Sequence, residues 1–140
     1  MSITYLEAIR EAQEKALRDD PRVYIYGQDV AAFGGAFKAT KNLAKEFPGR
    51  ILDAPISEDA MVGSAIGAAI EGMRPIVEMQ FADFSSVGFN QIVNQAATLH
   101  WRTGFPARSR SGFRREAIRA ADHSTARTWR PSIPIFPVWW

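Results

Sequence analysis

Glu58 is the residue of this chain best placed to do chemistry. It follows Leu52-Asp53-Ala54-Pro55-Ile56-Ser57 and leads a run of small residues through Gly63 and Gly67. That order reads as strand, loop and helix, with the carboxylate on the first helical turn. A first-turn acid gains about 0.3–1 kcal/mol from the helix dipole, and that is the plain account of such a residue. Two features point further. The loop leaves a β-rich run, so the acid stands where parallel sheets bind ligands. Each interior glycine costs the helix about 1 kcal/mol against alanine, so two on one face imply that another backbone comes close. A carboxyl group enclosed by a subunit contact of that kind would have its pKa raised toward neutrality and could supply or share a proton.

Other side chains offer less. There is no cysteine, hence no disulfide framework, thiol nucleophile or thiolate metal site. No metal-ligand cluster is visible. His100 beside Trp101 reads as structural or exposed rather than as a base. Lys38, Lys41 and Lys45 read as the solvated face of a helix. Gly27-Gln28-Asp29 ends a strand and could approach a bound ligand, with a simple turn as the plainer reading, and Phe81 reads as a core aromatic.

The elements that must position Glu58 follow from periodicity and punctuation. Thr4 with Glu7 three residues on forms a capping-box pattern, and Asp20-Pro21 ends the helix it opens. Val23 to Tyr26 is a β-rich run stopped by Gly27, and Gly34-Gly35 marks a flexible turn. A second helix is expected from Lys38 to Phe47, closed by Pro48-Gly49. A strand follows at Arg50–Asp53, a helix at Asp59–Gly72, a strand at Pro75–Met79 and a helix at Phe89–Trp101. Alternating strands and helices imply the α/β class, a parallel sheet with crossover helices. The loops Gly27–Ala36, Ala54–Ser57 and Gln80–Ser86 then lie at the carboxyl ends of the strands.

Composition bounds the function. A chain of 140 residues with 46% hydrophobic and 23% charged residues suits one globular domain. No apolar run approaches the roughly 18 residues that span a bilayer. The start Met1-Ser2-Ile3-Thr4 lacks the basic and apolar regions of a secretory signal, so a cytoplasmic setting is expected. The net charge of +2 hides an asymmetry: residues 1–106 carry ten Lys+Arg against thirteen Asp+Glu, whereas 107–140 carry seven Arg against two acids. Such a basic tail, with three of the four Trp, could be read as a nucleic-acid or protein interaction arm.

Glu58, Gly63 and Gly67 at this spacing resemble the signature of thiamine-diphosphate enzymes on their pyrimidine-binding domain. Ser64 takes a slot usually held by an apolar residue. Asp53 through Glu58, then Gly72-Met73-Arg74-Pro75-Ile76-Val77-Glu78, then Gln80-Phe81-Ala82-Asp83-Phe84 resemble the β subunit of the first component of 2-oxo acid dehydrogenases, of the pyruvate and branched-chain type. The likeness runs from about Ile3 to Pro106.

The resemblance implies that Glu58 hydrogen-bonds a ring nitrogen of the cofactor's aminopyrimidine. This favours the tautomer that takes the thiazolium proton; the carbanion attacks the substrate's keto carbon and carbon dioxide leaves. It implies that Phe84 packs on the aminopyrimidine ring, against the plain reading of a core aromatic at a strand end. It implies an α subunit that holds the magnesium and diphosphate, a second β subunit, a lipoyl acyltransferase core that receives the acyl group, and a small 2-oxo acid substrate. Transketolase and deoxyxylulose-phosphate synthase share the domain but carry it inside one long chain after the diphosphate domain. Here the first helix follows Met1 almost directly, which favours the split-subunit arrangement.

After Pro106 the family pattern expects a strand and glycine-rich loop close to PITVRLPSGG, then PGGGPFHSQN. This chain has a different text, but the two are related by a shift of reading frame. If residues 108–116 are encoded CGA TCA CGG TCC GGC TTC CGT CGG GAG, the frame one base upstream, after a preceding C, spells PITVRLPSG. Allowed codons extend this to GNPGGGPFHSQNLEA. Glycine codons read one base out become arginine, alanine and tryptophan, the residues in which the tail is rich. Residues 1–106 are therefore expected to be the N-terminal part of the pyrimidine-binding domain, and 107–140 a frameshifted, non-native readout. His123 would not replace the family's histidine in PFHSQ. An incomplete sheet leaves strand edges and apolar helix faces uncovered, so the chain alone is expected to be marginally stable and inactive.

Overall fold

A computed structural model of the chain describes residues 3–103 and the backbone of Ile118–Ala120. Helix α1, Tyr5–Asp19, opens with the expected capping box: Thr4 Oγ1 accepts from the Glu7 amide at 3.2 Å, and Glu7 Oε2 accepts from the Thr4 amide at 2.7 Å. Strands β1 (Val23–Gly27), β2 (Ile51–Asp53), β3 (Arg74–Met79) and β4 (Ile118–Ala120) form one sheet in the order β2-β1-β3-β4, parallel throughout. Beyond Thr103, β4 is the one described element. It pairs with β3 at an edge where the sequence reading expected the sheet to stop; an edge strand's free amides and carbonyls favour such pairing.

Alternation along the strands sorts the core into two faces. Val23 and Ile25 pack with Leu17 of α1, Val30, Leu43 and Ile51 on one face. Tyr26, Val77 and Met79 pack on the other with Met61, Val62, Ala65 and Ile66 of helix α3, Glu58–Ile70. Arg50, a residue that pattern reading passed over, ties α1 to the sheet by donating to the carbonyls of Leu17, Asp20 and Val23 at 2.6–2.7 Å.

Two expected helices are corrected. The one at Lys38–Phe47 shrinks to a single turn, α2, Leu43–Glu46. Lys38 and Asn42 have φ of 65° and 70°, which a right-handed helix excludes. Residues 28–42 instead form an arch of tight turns over the end of β1. Within it Val30, Ala39 and Thr40 are buried, and the Thr40 hydroxyl donates to the Val30 carbonyl at 2.7 Å. Lys38 is no part of a helical face: its ammonium donates to the Phe33 carbonyl at 2.8 Å and lies over the Phe33 ring. Lys41 and Lys45 line a surface hollow of about 380 Å³.

The helix expected at Phe89–Trp101 is broken into a π-helical stretch, Gln91–Ala96, and a short helix α4, Leu99–Thr103. The wide turn sets Gln91 against α3, where it donates to Asp59 Oδ2 at 3.0 Å. The side chain of His100 and residues 121–140, with His123, lie outside the described residues.

Candidate active site

The loops after β1, β2 and β3 meet at the carboxyl ends of the strands. From β1 the chain runs toward β2, and from β3 toward the opposite edge, the strand order at which open parallel sheets place their ligands. The loop after β2 carries Ser57 and delivers Glu58 at the first residue of α3. Its geometry is fixed by two bonds from backbone amides: the Ala54 amide donates to the Gly27 carbonyl at 2.7 Å, and Asp53 Oδ1 accepts from the Ala31 amide at 2.7 Å.

Glu58 is half-buried. Its Oε1 accepts from Gln28 Nε2 at 3.1 Å, and Gln28 is itself buried, with its amide nitrogen 3.8 Å from Met61 Sδ. The plainer sequence reading made Gln28 part of a simple turn, with an approach to a ligand as the alternative. Gln28 is instead the side chain that holds the carboxylate. The signal that could have found it was position alone, the first residue past a parallel strand. Glu58 Oε2 has no partner among the described residues and is available to a bound group.

Phe84 sits in a 3₁₀ turn, Ala82–Ser86, just past β3. Its ring meets Phe81 edge-on at 5.5 Å, and Phe81 meets Phe37 at 5.8 Å. Phe81 is 39% exposed and Phe84 36%, so neither is a core aromatic in this chain; the plain reading of Phe81 is corrected. The same loop then returns to α3, where a Cβ on Gly88 would stand 3.4 Å from the Glu58 carbonyl. Glu58 and Phe84 thus belong to one end of the sheet. Beside them Ile56 is 85% exposed, and Val87 and Phe89 also face water.

The two helix glycines divide. Gly63 is met by Gln91 of the same chain, 3.3 Å from where a Cβ would be, whereas Gly67 opens to free space. The backbone approach expected from their spacing is not seen at either: a side chain of the same chain meets the first, and nothing within 4 Å meets the second. Among the described residues no cluster of three His, Asp or Glu side chains could hold a metal ion, and no helix is long and apolar enough to cross a membrane.

Residues 1–128 match the family model described as the pyrimidine-binding domain of transketolase. The chain belongs to this family. It is 47% identical over 107 residues to the mitochondrial 2-oxoisovalerate dehydrogenase subunit beta of Chaetomium thermophilum, covering 76% of this chain and 23% of that one. Against the 2-oxoisovalerate dehydrogenase subunit beta of Bacillus subtilis it is 45% identical over 102 residues, 72% of this chain and 31% of the other. Against the pyruvate dehydrogenase E1 component subunit beta of Rickettsia felis it is 44% identical over 116 residues, 81% and 35%. The chain thus spans about a quarter to a third of these relatives. The parallel α/β architecture is the one expected from the sequence.

Proposed function

We propose that the chain is the N-terminal part of the β subunit of a thiamine-diphosphate-dependent 2-oxo acid dehydrogenase, acting on pyruvate or a branched 2-oxo acid. One observation carries the reading: a half-buried carboxylate at the ligand-binding end of the sheet, steadied by Gln28, with one oxygen free and apolar side chains left in water around it.

These residues fit an aminopyrimidine. Glu58 Oε2 would bond a ring nitrogen, while the Gln28 amide keeps the carboxyl from turning away. Phe84 would cover the ring face, and an aromatic surface suits a flat heterocycle. Exposed Ile56, Val87 and Phe89 would be covered by a companion α subunit, whose approach removes water from the site. When bound, the cofactor supplies the carbon nucleophile and electron sink for decarboxylation. Magnesium and diphosphate would be held by the α subunit, with a second α–β pair completing a heterotetramer and a lipoyl acyltransferase core taking the acyl group. The absence of cysteine is in keeping with a cytoplasmic setting.

Residues 107–140 we read as a frameshifted tail, supported by the codon relation and the jump in arginine content; the family match to residue 128 reaches past that junction. Sequencing the coding DNA across residue 106 tests this. A single intact frame in relatives that end in the same tail would overturn it.

The function is tested by restoring the family reading frame, assembling the subunit with its α partner, and replacing Glu58 with alanine. Release of carbon dioxide from pyruvate or 3-methyl-2-oxobutanoate should collapse. Undiminished release would overturn the assignment.

A further inference from the structure

Glu78 is a carboxylate that the chemistry above leaves unused. It stands on β3 opposite Gly27 and is 3% exposed, and its Oε2 has no hydrogen-bond partner. A carboxyl group without partners in an apolar site is costly when charged. Burial pushes its pKa up to about 7, and no charged group among the described residues contributes.

The surroundings are shaped around this carboxyl. A Cβ on Gly35 would stand 2.6 Å from Glu78 Oε1 and 3.3 Å from the Thr40 hydroxyl oxygen. A Cβ on Gly27 would stand 2.7 Å from the Glu78 carbonyl and 2.8 Å from Val30 Cγ1. Neither Gly27, Val30, Gly35 nor Thr40 titrates. On the other side of β3 the register partner of Glu78 is Arg119 of β4. Gly27 leads directly into Gln28, the residue that holds Glu58.

We propose that Glu78 is a positioning residue: a buried carboxyl group that fills the space left by Gly27 and Gly35 and holds the arch of residues 28–42 closed, so that Gln28 stays on Glu58. Ionising it forces water in, and the arch must open to admit it. The effect on catalysis rests on the reading of Glu58 given above; the protonation and the closed arch do not.

The test is infrared spectroscopy of the full chain with isotope-labelled glutamate, repeated on the assembled enzyme. At pH 6 a protonated-acid carbonyl band should be present, should be missing in Glu78→Gln, and should fade with a midpoint near 7. Over the same range the Gly35 and Thr40 amides, which donate to Asp29 and Gly34, should exchange at least tenfold faster than in Glu78→Gln at equal pH. No acid band at pH 6 would overturn the proposal. So would arch amides equally protected in both proteins. In the assembled enzyme Glu78→Gln should remove an alkaline fall in kcat/KM. A confirmed band with an unchanged pH profile would refute the positioning role and leave Glu58 untouched. Undiminished activity in Glu58→Ala would refute the other reading and leave the band intact.

Discussion

Glu58 and Glu78 stand at the same end of the sheet and share a side chain but little else. Glu58 heads a helix on one face, half in water, with Gln28 on one oxygen and the other free. Glu78 leaves β3 toward the opposite face, sealed under the arch, with Oε2 unbonded. The first can take part in binding because solvent still reaches it. The second can only act through what it supports, because its burial denies access. The contrast teaches that exposure, rather than residue type, decides which of two carboxyl groups a bound molecule could reach.

The largest expected effect is on Glu58. In the assembled enzyme, alanine there should lower kcat by about 10²–10⁴-fold, the span of general acid–base contributions, with little change in the melting of the subunit. The same substitution at Glu78 should do the reverse, mainly lowering stability. Equal behaviour of the two variants would break the comparison.

The next effect is on pH. The folded Glu78 carboxyl titrates near 7 against an ordinary 4.5, so the folded chain binds the extra proton between those values. Its contribution to stability is complete below pH 4.5, declines as pH rises toward 7, and is flat beyond. The loss amounts to about 3 kcal/mol at 1.36 kcal/mol per pH unit. Urea midpoints from pH 4 to 8 should show this decline in the parent chain, and Glu78→Gln should lack it.

Smaller effects sharpen the distinction. Gly35→Ala places a methyl against Glu78 Oε1 in a residue with φ of 79°, and should cost about 1–3 kcal/mol in chemical unfolding. Gln28→Ala removes the bond to Glu58, and about 0.5–1.5 kcal/mol of positioning should appear in kcat/KM rather than in stability. Thr4→Ala, at the capping box of α1 and remote from both acids, should cost only about 1 kcal/mol and leave the pH profile unmoved.

Much of this fold was legible in the residues. The capping box, the strands at Val23, Ile51 and Arg74, and the helix led by Glu58 follow from local patterns that the structure keeps. The helix expected at Lys38 was not kept, because the burial of Val30, Ala39 and Thr40 against the sheet outweighs a local helical pattern. The helix at Phe89 was interrupted for a like reason, as Gln91 docks on α3 beside Gly63. Of the site, Glu58 and Phe84 stood out by spacing and resemblance, whereas Gln28 and Glu78 did not.

The sequence by itself determined strands β1 to β3, helices α1 and α3, the parallel class, and which acid heads a helix at the sheet's carboxyl end. Those are consequences of periodicity and caps within a few residues of one another. Only the tertiary structure decided which amide grips that acid and which second acid is sealed from water. Gln28 lies thirty positions from Glu58 in the chain, and Gly35 lies far from Glu78. Contacts of that kind arise when the sheet closes, and burial, which sets the charge of a carboxyl group, is a property of the packed whole.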